Sequence, residues 1–210
     1  MRFAAEAFER ALIVAREQRI AWRIPYETLR CAALEIRRSE YGAALGSYRS
    51  AAAYPINTPT LRVLFAAVGI PIALHFNDAA ALRQCYDAAA VDLAFESGEP
   101  MRIAATAAAF AAYYEEKGRT GDIPGLLDRA LAHLTTADHA WDLLFAVAVH
   151  GGVETTRAAR RLLSERARLP SPDVATAALS YFDALLRRRT GRPSGKRFAS
   201  AASRFAALGW

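Results

Sequence analysis

Pairs of small and bulky side chains set one helical turn apart recur along this chain. They read Ala7-Phe8 with Ala11-Leu12, Ala44-Leu45 with Tyr48, Ala81-Leu82 with Cys85-Tyr86, Leu126-Leu127 with Ala130-Leu131, Ala158-Ala159 with Leu162-Leu163, and Ala201-Ala202 with Phe205. The pattern returns at a spacing of roughly 32 to 45 residues, the length of two helices and their turns. Residues three and four apart share one face of an α-helix. A small residue there lets a second helix approach closely, and its bulky neighbour fills the gap. A helix pair of that length cannot bury its own apolar stripe and must stack on the next pair. No segment alternates with the period of two that a half-buried strand requires. These constraints leave an all-α chain, a stack of antiparallel helix hairpins of the α-solenoid type.

Turn signals divide the sequence into about eleven helices. The first, 2–18, carries Ala4, Ala7, Phe8, Ala11, Leu12 and Ala15 on one stripe. The second, 21–38, takes Pro25 in its first turn and points Leu29, Ala32, Ala33 and Ile36 inward. Tyr41-Gly42 opens a helix that Tyr54-Pro55 closes, and Thr58-Pro59 supplies an N-cap and a first-turn proline for 59–76. Pro71 predicts a kink or an early end in that helix. Asn77-Asp78 starts a segment running to 97, with Leu82, Cys85, Tyr86, Ala89 and Leu93 at helical spacing. Glu99-Pro100 opens a helix that ends at Gly118, and Gly121-Asp122 leads into Ile123, Leu126, Leu127, Ala130, Leu131 and Leu134, the cleanest amphipathic stripe of the chain. Asp138 caps 139–149, Gly151-Gly152 breaks the chain before 153–168, and Ser171-Pro172-Asp173 starts 173–189. After Gly191-Arg192-Pro193-Ser194-Gly195 a last helix carries Phe198, Ala201, Ala202, Phe205 and Leu208. Short connections predict antiparallel neighbours throughout. Residues 1–210 read as one helical-repeat domain. Its first and last helices read as unfinished, as in a piece of a longer array or one whose ends self-associate.

Alanine makes up nearly a quarter of the chain, and with the bulky apolar residues it provides a foldable core. The formal net charge is +6, placed unevenly. Residues 151–210 hold 12 Lys/Arg against 4 Asp/Glu, whereas residues 1–150 hold 15 against 17. Such a basic end attracts nucleic acid, phospholipid or an acidic neighbour. Only Lys117 and Lys196 are lysines. An arginine and alanine excess of this kind follows the codon usage of a GC-rich genome, so a solvated or domain-contacting face is favoured over direct nucleic-acid binding. Cys31 and Cys85 are isolated at apolar helical positions, as expected of free thiols in a reducing compartment. The N-terminus lacks the apolar run of a secretory signal. The longest uncharged run, Val63 to Asn77, is fifteen residues and holds Gly69 and Pro71, too short and broken to span a bilayer. A soluble cytoplasmic protein with no membrane partner is expected.

Glu40-Tyr41-Gly42-Ala43-Ala44-Leu45 and the stretch from Gly118-Arg119-Thr120-Gly121-Asp122 to Leu127 each read as a turn followed by the second helix of a hairpin. These segments resemble tetratricopeptide (TPR)-like repeats. In that comparison Ala44 and Leu126 take the small-residue packing position, and Pro55, Pro100 and Pro170 or Pro172 lie near the inter-repeat proline. The tryptophan and Gly-Tyr positions of the family's first helix are missing, and the spacing varies. The run from Arg197-Phe198 through Phe205 to Leu208-Gly209-Trp210 is similar to the last repeats of large bacterial LuxR-type regulators. The resemblances imply a right-handed superhelix that binds protein or peptide within a transcriptional or signalling regulator.

Catalytic patterns are weak. Gly191 to Lys196 has one residue too few between its glycines for a phosphate loop, lacks the following Ser or Thr, and follows a helix. His139 with Asp138 and Asp142 lacks a second histidine at helical spacing, and Glu115-Glu116 point in different directions. No serine elbow or Cys/His pair stands out. A non-enzyme without metal or cofactor is expected. The binding candidates are the polar and aromatic residues that the first helices would turn to a concave surface: Arg23, Arg30, Arg62, Arg102, Tyr113, Tyr114, Asp142, His150 and Asp183. Arg187, Arg188 and Lys196 join them at the basic end. Arginine and tyrosine anchor interfaces, and arginine holds carboxylates bidentately. The plainer reading is that the aromatics fill gaps between helices, and Trp22, Tyr48, Trp141 and Phe182 are assigned to packing. An alternative is a small-molecule sensor with its ligand held around Tyr113, Tyr114, Trp141 and His150.

Overall fold

The computed structural model describes residues 2–134, 141–165 and 172–208. Among them every regular element is helical: α1 (Arg2–Glu17), α2 (Arg23–Arg37), α3 (Tyr41–Ala52), α4 (Pro59–His75), α5 (Ala79–Cys85), α6 (Ala90–Ser97), α7 (Pro100–Glu116), α8 (Ile123–His133), α9 (Trp141–His150), α10 (Val153–Glu165), α11 (Pro172–Arg189) and α12 (Gly195–Ala207), with a 3-10 turn at Thr120–Asp122. The expected capping role of Asp138, the loop residues Pro170 and Ser171, and the terminal Gly209 and Trp210 lie outside the described residues. The chain forms two compact units, Met1–Arg102 and Ile103–Trp210.

Five helices end in one way. After α1, α2, α4, α7 and α11 a single residue turns left-handed: Arg19, Ser39, Asn77, Gly118 and Gly191, with φ between 51° and 72°. The next N–H then reaches back to the carbonyl five residues earlier. Ile20 bonds to Ala15, Glu40 to Glu35, Asp78 to Ala73, Arg119 to Tyr114 and Arg192 to Arg187, at 2.7–2.9 Å. This is the Schellman closure, which satisfies orphan carbonyls and reverses the chain sharply. Glycine and asparagine adopt the conformation readily, and Arg19 and Ser39 hold it at a cost of about 1–2 kcal/mol each. Positions 39, 77 and 118 lie 38 and 41 residues apart, whereas 19 and 191 fall off that spacing.

In the first unit α2 packs on α1, α3 and α4, and α4 also packs on α3, α5 and α6. The core is Leu29 and Ala32 from α2, Ala44 and Ala51 from α3, and Leu61, Val68 and Ile72 from α4. Each larger aliphatic side chain contributes about 1.5–3 kcal/mol on burial. The Thr58 hydroxyl accepts the Leu61 N–H at 3.2 Å and Pro59 opens α4, as the sequence implies. Pro71 does not end α4, which continues to His75. Ile70, Ile72 and Ala73 are buried around it, and their packing outweighs the missing N–H.

The segment 77–97 is two helices, not one. Asp78 caps α5 by accepting the Ala80 and Ala81 N–H groups, but Tyr86 turns extended after Cys85. The Asp87 carboxylate takes two hydrogen bonds from Arg62 on α4 and one from the Ala89 N–H, which fixes the break. The inward face shifts with it: Ala90, Ala94 and Phe95 are buried, whereas Ala89 is exposed. Trp22 is also displaced from its expected packing role. It precedes α2 and is 62% exposed.

In the second unit α8 packs on α9 and α10, α10 on α9 and α11, and α11 on α12. Phe110, Leu127, Leu143, Leu144, Val147 and Leu163 form the most deeply buried part of its interior. All six apolar positions expected on the α8 stripe, Ile123 to Leu134, are buried.

Candidate functional site

The arginines expected to anchor a partner in the first unit are engaged with their own neighbours. Glu27 is almost wholly buried, and its two carboxylate oxygens meet Arg23 Nε and Arg30 Nη1, each at 3.3 Å. The Arg30 guanidinium also lies over the Phe8 ring, 3.8 Å from its centroid. Arg62 donates from Nε and Nη2 to the two oxygens of Asp87 at 2.7 and 2.9 Å. Those bonds hold the Asp87 carboxyl below the usual carboxylate range. Arg102 pairs with Glu99 at 2.9 Å and reaches Thr60 at 3.4 Å. This bidentate pair balances the Arg62 charge within the fold.

In the second unit Tyr114 packs edge-on against Phe110 and Tyr113, and Tyr113 lies tilted against Phe110, with ring centroids 6.0–6.3 Å apart. Lys117 and Arg119 lie over their faces at 5.9 and 4.6 Å. His150 Nδ1 is 3.6 Å from Glu115 Oε2. That brings together one imidazole and one half-exposed carboxylate, a pair that attracts when the ring is protonated. Among the described residues no three His, Cys, Asp or Glu side chains converge as metal ligands, and His139 lies outside them. No helix among them is long and apolar enough to cross a membrane. Cys31 and Cys85 are free, and burial pushes the Cys85 thiol up to about 11. Gly191 serves as the left-handed cap of α11.

The basic end divides by role. Arg189 is partly buried and structural. Its guanidinium donates to the Val147 carbonyl at 3.3 Å, to the Ala148 carbonyl at 2.9 Å and to Thr156 Oγ1. It therefore ties the end of α11 to the end of α9 and to α10, and desolvation holds its pKa below the ordinary arginine value. Arg187 Nε donates to the Pro193 carbonyl at 2.9 Å and steadies the turn into α12. Arg188 and Lys196 are exposed.

The concave site of the second unit lies elsewhere, in a half-open cleft of about 440 Å³ between α9, α11 and α12. The α9 wall presents Trp141, Leu144, Phe145, Ala148 and Val149; Ala178, Tyr181 and Phe182 come from α11; Phe198, Ala202 and Phe205 come from α12. Among the described residues no charged side chain lines it. Tyr181 packs edge-on against Phe198 at 5.7 Å, joining the α11 and α12 walls. Phe145 and Val149, four residues apart on its lip, are 55% and 67% exposed. Of the residues singled out for binding from the sequence, only Trp141, named for the small-molecule alternative, reaches this cleft. The missed signal was the uncharged run Leu143 to Val149, apolar on every face of its helix. Such a helix has a second side to cover.

Comparison with protein-family models, with curated proteins and with solved structures gives no match.

Proposed function

We propose that the chain is a non-catalytic helical-repeat module of the TPR-like solenoid type, and that it binds protein or peptide through the apolar cleft of its second unit. The observation that carries this reading is the cleft itself. Among the described residues eleven side chains line it, none charged, and its two exposed large apolar residues, Phe145 and Val149, both come from α9. Exposed apolar surface gathered in one concavity marks an interaction site more strongly than scattered exposure does. The repeated Schellman turns and the packing of successive helices within each unit support the repeat reading. A role as the helical assembly region of a bacterial transcriptional or signalling regulator follows from the resemblance at the C-terminal end.

A second reading, a small-molecule sensor, draws on the cleft volume, which falls in the ordinary range for ligand pockets. Its centre is the α9–α11–α12 cleft; Tyr113, Tyr114 and His150 are not among the residues that line it. Titration with the neutral dye Nile red tests whether the cleft binds at all. One-to-one, blue-shifted emission that Phe145→Asp abolishes is expected. Emission that does not saturate, or that survives the substitution in a folded variant, contradicts a binding cleft.

A further inference from the structure

We infer that the cleft receives the apolar face of an acidic amphipathic helix supplied by a partner protein, with its carboxylates set toward the basic end. The inference rests on the binding role proposed above and adds the chemistry of the partner.

Shape is the first argument. On α9 the cleft runs from Trp141 to Val149, a rise of about 12 Å, or two turns of a facing helix. Phe145 and Val149 stand on its lip more than half in water. A small ligand is normally enclosed over most of its surface, and one lying in this trough would leave those two side chains wet. An apolar stripe at i, i+3, i+4 and i+7 laid along the trough covers them.

Charge is the second argument. The Arg189 bonds to Val147 and Ala148 bring the end of α11 beside the end of α9. The Arg187 bond to Pro193 holds that same end against the start of α12. One end of the cleft is therefore where Arg188, Lys196 and Arg197 emerge, all exposed. From Ala184 to Trp210 the chain has 7 Lys/Arg and no Asp or Glu. Asp183, the last acid before that stretch, is already paired with Arg160. The trough is apolar along its walls and cationic at one end, so its complement is apolar along one stripe and anionic beside it.

The test is fluorescence anisotropy of the whole chain with a labelled helical peptide bearing leucines at i, i+3, i+4 and i+7 and glutamates on the flanks. A second peptide carries lysines in place of the glutamates. Saturable binding of the acidic peptide that weakens with salt is expected, with the lysine version weaker by about tenfold or more. Phe145→Asp should weaken the acidic peptide by about tenfold or more. The double variant Arg188→Glu/Lys196→Glu should weaken it and flatten the salt dependence. All three positions are partly or fully exposed, and circular dichroism checks that each variant stays folded.

Equal affinity for both peptides overturns the inference, as does Phe145→Asp without effect. A dimer seen by light scattering that Phe145→Asp dissolves also overturns it, making a second copy the occupant. Nile red binding with neither peptide bound sinks this inference and leaves the binding role standing. Failure of dye and peptides together sinks both.

Discussion

Gly69→Ala sets two effects of opposite sign against each other. Gly69 lies inside α4, where alanine is ordinarily the better residue by about 1 kcal/mol. A methyl group at this position would sit 2.5 Å from Cys85 Cβ, 2.6 Å from Tyr48 Oη and 2.8 Å from Tyr48 Cε2. Apolar atoms rest at about 3.5–4.0 Å, so both neighbours must retreat by about 1 Å. Neither does so freely. The Cys85 Cβ is attached directly to the α5 backbone, and the Tyr48 ring is stacked on Phe65 at 4.4 Å. Overpacking of this kind costs about 1–3 kcal/mol and sometimes more. With the helix-propensity gain subtracted, a net loss of about 1 kcal/mol is expected, or a fall of about 2–4 °C in Tm for a chain of this size. Thermal and urea denaturation measure it. Tyr48→Leu in the same background should recover part of the loss, because the two tyrosine contacts vanish. Cys85→Ala should recover none, because its Cβ remains. A Tm that is unchanged or raised by Gly69→Ala would refute the reasoning.

Three further outcomes follow from the same contacts. Arg189→Met removes three charge-assisted hydrogen bonds and should cost about 2–4 kcal/mol; an unfolding midpoint within error of the parent contradicts the role given to this side chain. The Arg62 bonds hold Asp87 below its unfolded pKa, so their stabilisation is present above about pH 4 and is lost as pH falls through the folded value. The parent should therefore be more stable than Asp87→Asn at pH 7 and converge with it in acid, and a gap that stays constant down to about pH 2 contradicts this. Cys85 is buried with its thiol raised to about 11, so alkylation at neutral pH, followed by mass spectrometry, should label the half-buried Cys31 first and reach Cys85 only on unfolding. Labelling of Cys85 at the rate of Cys31 in the folded chain counts against that burial.

Helix content and much of the packing were legible in the sequence because they are local. The α8 stripe from Ile123 to Leu134 reads directly as a buried face, and Thr58-Pro59 and Asp78 start helices where capping chemistry puts them. The break at Tyr86 to Ala89 was hidden because its cause, Arg62, lies 25 residues away in the chain. The early end that Pro71 allows does not occur for a related reason, since the apolar neighbours that hold α4 together there outweigh the missing N–H. The binding candidates on the first unit share one feature, an ion pair with a neighbour in the fold. Arg23, Arg30 and Arg102 pair with acids three or four residues away, which helical spacing makes legible, whereas the Arg62 partner Asp87 lies 25 residues off and is brought near only by folding. Trp22 was assigned to packing by residue type, and its place just ahead of α2 leaves it in water. The cleft could not be read from any one helix, because its walls come from three.

The central claim is that the α9–α11–α12 cleft is where this chain meets its partner. Amide chemical-shift mapping of the whole protein during titration with the acidic amphipathic peptide tests it most directly. The account expects saturating shifts concentrated in 141–150, 178–189 and 195–205, absent in Phe145→Asp. Shifts centred instead on α2 and α4 around Arg23, Arg30 and Arg62, or spread over both units without saturation, would contradict it.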